Sequence, residues 1–127
     1  MKPSLHPWLS SLAAATVLAA AVPAHAQGGA ASKVMLRGEP YGVEVAEMRM
    51  VRRNDVLIVQ ADLKNTERKD RQVYYRFKWL DGSGMQVGDG EPYKQLTFYG
   101  QQLQTLKGIA PTSATVDFRL EMNVEAP

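Results

Sequence analysis

From Val34 to Val124 apolar and polar residues alternate in short runs, and nowhere do apolar residues recur at helical spacing over three turns. A period of two sends successive side chains to opposite faces of an extended chain, so a run of this kind builds half-buried strands. The clearest run is the last. Val116, Phe118, Leu120, Met122 and Val124 share one face, and Asp117, Arg119, Glu121 and Asn123 share the other. Earlier strands are expected at Val34–Arg37, Val43–Arg53 and Val56–Lys64, the last with Leu57, Val59, Ala61 and Leu63 inward. In Val43–Arg53 the alternation slips near Ala46-Glu47, as a β-bulge would make it. Val73–Leu80 carries Val73, Tyr75, Phe77 and Trp79 on one side and Tyr74, Arg76 and Lys78 on the other. Met85-Gln86-Val87 reads as the start of a return strand, followed by strands at Lys94–Tyr99 and Leu103–Gly108.

Turn residues separate these runs: Gly38 to Gly42, Asn54-Asp55, Asp81-Gly82-Ser83-Gly84, Gly88 to Pro92, and Ala110 to Ser113. Asn65 to Asp70 (NTERKD) reads as a charged surface loop. Six to eight short strands with one wet face each predict an all-β fold: an immunoglobulin-like antiparallel β-sandwich of about seven strands over residues 34–125. A small barrel is the alternative.

The first 26 residues have the three parts of an export signal. Lys2 supplies a positive start, Leu9 to Val22 an apolar core, and Pro23 a break before Ala24-His25-Ala26. Cleavage is expected after Ala26, with Ala24 and Ala26 as the small residues the peptidase needs. The apolar run is shorter than the roughly 20 residues a bilayer-spanning helix requires. A periplasmic location follows as the expectation, with Gln27 to Lys33 as a flexible arm.

That cut changes the available chemistry. Both histidines, His6 and His25, precede it, and the chain has no cysteine. The remaining domain holds neither imidazole nor thiolate, the ligands that zinc and other transition metals favour. No cofactor or metal is expected. Lys2 is the one base removed and no acid goes with it, so the net charge of +2 becomes +1. A nucleic-acid binder would need a clustered basic face, so that partner is not expected. Ser or Thr nucleophiles lack an adjacent histidine. A carboxylate pair remains conceivable among Asp81, Asp89 and Glu91, but so small a domain offers little shelter for shifting a carboxyl pKa. The protein is expected not to be an enzyme.

Tyr75, Phe77 and Trp79 have the pattern of a central-strand core, although stacking on a glycan is the functional counterpart. Tyr74, Arg76 and Lys78 form the candidate partner-binding face, since Tyr and Arg are enriched at protein interfaces. The plainer reading of that face is a solvated sheet surface whose bases pair with Asp117 or Glu121 across strands. Arg52-Arg53 and Arg68-Lys69-Asp70-Arg71 are expected in solvated turns, diluted by Asp55 and Glu67.

Val73-Tyr74-Tyr75-Arg76-Phe77-Lys78-Trp79-Leu80-Asp81-Gly82-Ser83-Gly84-Met85 resembles the mid-domain Y-R-F-x-W-x-D-x-x-G-like strand and turn of the YcfL-like family of small periplasmic proteins. The Leu57–Asn65 run and the closing Val116-Asp117-Phe118-Arg119-Leu120 are similar to the family's flanking strands. The resemblance implies an immunoglobulin-type sandwich and work in the cell envelope, since some members are encoded beside a lipoprotein activator of a peptidoglycan synthase. Family members are often lipoproteins, whereas this sequence has no cysteine to carry a lipid. The family supplies no catalytic residues. The expected function is a non-enzymatic periplasmic module binding another cell-envelope protein, through Tyr74, Arg76 and Lys78 or an exposed sheet edge. A peptidoglycan or other glycan ligand is the alternative.

Overall fold

The computed structural model describes residues 32–127, so the expected leader, its Ala24 and Ala26, and most of the arm lie outside the described residues. Seven strands follow one another: β1 (Val34–Arg37), β2 (Val43–Arg53), β3 (Val56–Asn65), β4 (Arg71–Leu80), β5 (Lys94–Phe98), β6 (Leu103–Ile109) and β7 (Asp117–Val124). They form a β-sandwich with four strands in one sheet, ordered β1-β7-β4-β5, and three in the other, ordered β2-β3-β6. Four and three is also the division of strands in immunoglobulin constant-type domains.

Local chemistry explains the connections. Arg53 pairs with Val56, so Asn54 and Asp55 alone make the β2–β3 turn. Their φ values of 49° and 61° are both positive, as a type I′ turn requires, and short polar side chains tolerate that region. The register of β2 against β3 jumps between Val45 and Glu47, leaving Ala46 as the bulge. After β4, the Asp81 carboxylate accepts the N–H groups of Ser83 and Met85, which winds the chain through Gly84 at φ 78°.

The core is the set of inward positions that alternation selects. Leu57, Val59, Ala61 and Leu63 from β3 face Val73, Phe77 and Trp79 from β4 and Phe118, Leu120, Met122 and Val124 from β7, all buried. Trp79 and Phe118 are cross-strand partners, as are Phe77 and Leu120. Phe77 stacks on Trp79 with ring centroids 5.5 Å apart and lies 6.2 Å from Phe118. Each such ring contributes about 1.5–3 kcal/mol through burial.

Gly108 of β6 is where the second sheet meets these rings. A Cβ there would sit 2.7 Å from the Phe77 ring, well inside contact distance. Gly108→Ala is therefore expected to destabilise the domain by about 1–3 kcal/mol, the usual cost of overfilling a packed core. An unchanged urea midpoint would show that Phe77 has room to move.

In several places the structure departs from the sequence reading. β1 runs parallel to β7, so the sandwich is antiparallel except at one edge. Alternation carries no information on strand direction. Val116 is 48 % exposed and precedes β7, its backbone N–H held by Leu80 O at 2.9 Å. Periodicity could not locate the end of the strand. Met85-Gln86-Val87 makes a single bridge, Leu80 to Gln86, because Gly88 and Gly90 at φ 78° and 89° curl the chain away from extension. Lys33 of the expected arm reaches the Asp117 carboxylate and lies 6.0 Å from the Phe118 ring centroid. In the NTERKD segment Asn65 is fully buried, and Arg71 beyond it is buried too.

Candidate functional site

The outer face of the four-stranded sheet is built by the polar side chains left over once β4 and β7 have turned their apolar residues inward. Register places Tyr74 opposite Asn123, Arg76 opposite Glu121 and Lys78 opposite Arg119. Arg76 Nε donates to Glu121 Oε2 at 2.8 Å, and the Tyr93 hydroxyl donates to the same oxygen at 2.9 Å. The Arg76 guanidinium also lies over the Tyr93 ring, 4.3 Å from its centroid. The side chain of Glu121 is only 6 % exposed, so these three groups form a closed unit.

Its electrostatics follow. Burial pushes the Glu121 carboxyl up, but hydrogen bonds from Arg76 and Tyr93 and the charges of Arg76 and Arg37 outweigh it, holding the group below its ordinary 4.5. The Tyr93 hydroxyl is raised above 10.0, by burial first and then by its bond to Glu121. Arg76 is raised chiefly by its hydrogen bond to Glu121. At the far end of β7, burial pushes Asp117 up, yet hydrogen bonds from Lys33, Arg119 and the Phe118 N–H leave it below 3.8.

A carboxyl lower in the folded than in the unfolded chain adds stability above its unfolded value and loses it as pH falls through the folded value. Stability is thus expected to decline below about pH 4.5, the ordinary value of Glu121. Glu121→Gln should flatten that acid limb. Urea midpoints measured from about pH 7 down to about pH 3 test this, and an identical limb in the variant would refute it.

The three candidate residues therefore share a face but differ in availability. Arg76 is committed to Glu121 and Tyr93. Tyr74 is half-buried, and Lys78 makes no ion pair among the described residues. Arg119 opposite Lys78 is turned to Asp117 at 3.0 Å, which separates the two like charges. The sequence reading missed Tyr93 as a partner, since it follows a glycine-rich turn that alternation does not place. It likewise missed Arg71, which donates to Tyr41 O and Glu67 and stacks on the Tyr41 ring.

The three acids singled out from the sequence have separate tasks. Asp81 organises its turn, Glu91 accepts the Trp79 indole N–H at 2.9 Å, and Asp89 is exposed. Arg52 is fastened to Asp55 O and Thr115 O, which ties the β2–β3 turn to the segment before β7. The ring–ring contacts among the described residues are those of Tyr75, Phe77, Trp79 and Phe118. Tyr99, 59 % exposed, and Tyr93, 37 % exposed, have no part in them.

Two solved structures share this fold. One is Campylobacter jejuni cj0090, with a TM-score of 0.62 and 24% identity over 73% of this chain and 98% of that one. The other is a DUF1425 family member from Shewanella sp. pv-4, with a TM-score of 0.56 and 24% identity over 67% of this chain and 78% of that one. None of the curated proteins compared with the chain matches it. Residues 31–124, which take in all seven strands, match the family described as "Protein of unknown function (DUF1425)", and the chain belongs to that family.

Proposed function

We propose that this protein is a YcfL-like member of its family, exported to the periplasm, where it acts without catalysis as a module that binds another cell-envelope protein. The observation that carries this reading is where the rings went. The stacked aromatics fill the interior, and the outer face of the four-stranded sheet is a polar lattice in which the half-buried Tyr74 and Lys78 flank the Arg76–Glu121–Tyr93 unit. A rigid, amphipathic tyrosine and, two same-face positions further along, a cation with no ion pair among the described residues are a combination suited to protein contact. Glycan capture relies on exposed rings gathered along a groove, and Trp79, the best stacking surface, is 2 % exposed. The ring placement therefore favours protein over sugar.

The test is photo-crosslinking in intact cells with a photoreactive residue at position 74 or 78, followed by mass spectrometry. One defined envelope protein captured from both positions, and not from exposed position 89, supports the reading. Capture of glycan strands, or equal capture from all three positions, refutes it.

A further inference from the structure

Among the described residues β2 pairs with β3 alone, which leaves it an edge of the three-stranded sheet. An edge strand carries unpaired backbone N–H and C=O groups that a further strand can engage. After the bulge, the two faces of β2 differ in chemistry. Arg49, Val51 and Arg53 stand opposite Gln60, Ile58 and Val56 on the outer face, while Met48, Met50 and Arg52 stand opposite the buried Ala61, Val59 and Leu57 on the inner one, Arg52 being fastened to Asp55 O and Thr115 O. Met50 is 52 % exposed and Val51 45 %. Among the described residues no strand covers these apolar side chains at the rim.

A shallow hollow of about 410 Å³ lies over this sheet, lined by Met50, Val51, Ile58 and Gln60 together with Arg49, Arg53 and Lys107. Arg49 is shared with Asp62 and Glu47, but Arg53 and Lys107 make no ion pair among the described residues. Between Glu47 and Arg53 the strand has three arginines against one glutamate. Two copies joined edge to edge would press like charge on like charge, and a bulge with edge cations is how proteins discourage that pairing. A strand of the opposite charge is what the edge favours.

The geometry points to β2 as the docking edge for an extended partner segment in which carboxylates alternate with apolar side chains. This rests on the binding-module reading and specifies the chemistry of the partner. Added beside β2, such a strand places every second side chain on each face. Its carboxylates meet Arg49 and Arg53 across the ladder, where opposite charges stabilise a strand pair. Its apolar residues cover Met48 and Met50 at the rim of the core.

The probe is a fluorescein-labelled decapeptide of alternating valine and glutamate, titrated into the protein by anisotropy. Saturable binding is expected, about tenfold weaker for the alternating valine–lysine peptide and about tenfold weaker for Arg53→Glu, an exposed change away from the core. Hydrogen exchange at the Met48–Arg53 amides should slow in the complex. The assignment is overturned by absent saturation, by equal binding of both peptides, or by protection elsewhere. It is also overturned if Arg53→Glu abolishes sedimentation with phosphatidylglycerol vesicles while peptide binding is absent, or if β2 is protected by self-association alone. A failed titration alongside specific capture from position 74 or 78 removes only the β2 assignment. Failure of both experiments removes the binding-module reading with it.

Discussion

Trp79→Ala should lower the stability of the domain by about 3–5 kcal/mol, the range for emptying a large aromatic site in a core. Trp79 is 2 % exposed, stacks on Phe77 and lies 6.3 Å from Phe118. Its removal opens a void that β4 and β7, held together by their ladder hydrogen bonds, cannot close. The side chain also has a polar duty, since its N–H donates to Glu91 and so fixes the segment between β4 and β5 against the sheet. Trp79→Phe separates the two roles. It should recover most of the lost packing and still forfeit about 1 kcal/mol, the net worth of one hydrogen bond. Urea unfolding followed by circular dichroism measures both. If alanine moves the midpoint no more than phenylalanine does, the packing argument fails.

Asn65→Ala is expected to cost about 3 kcal/mol although it removes only a small side chain, because each buried group left unsatisfied costs about 1–3 kcal/mol. The Asn65 amide donates to Lys69 O at 2.7 Å and Tyr99 O at 3.2 Å, and its oxygen accepts the Glu67 N–H at 3.0 Å. It joins the loop after β3 to the one after β5. Around it the two loops are tightly fitted: Asp70 accepts the Gly100 N–H, and a Cβ on Gly100 would lie 2.1 Å from Arg68 O. The variant should therefore also be cut faster by protease between residues 65 and 70 under native conditions. A stability loss below about 1 kcal/mol would mean that water replaces the amide without penalty.

These two positions were unequally legible beforehand. Trp79 sits in a run of alternating residues with three apolar neighbours at the same parity, so one strand was enough to place it inside. Asn65 sits in a charged, turn-like segment, where nothing local distinguishes a buried asparagine from a solvated one. Its burial depends on the loop between β5 and β6, some 35 residues further along the chain.

The same contrast runs through the candidate site. The common face of Tyr74, Arg76 and Lys78 follows from the two-residue period alone, as do the inward residues of β3 and β4 and the bulge in β2. Those features are local, because backbone stereochemistry alternates the side chains of any extended strand whatever lies beside it. Which of the two bases kept no ion pair was settled only when β7 and the segment before β5 came alongside. Glu121 and Tyr93 then took Arg76 and left Lys78 without an ion pair among the described residues. Strand direction at β1, the exposure of Val116 and the bare edge of β2 were decided in the same way, by which strand became whose neighbour. Neighbour choice depends on contacts between residues far apart in the chain, and a local pattern carries no record of them.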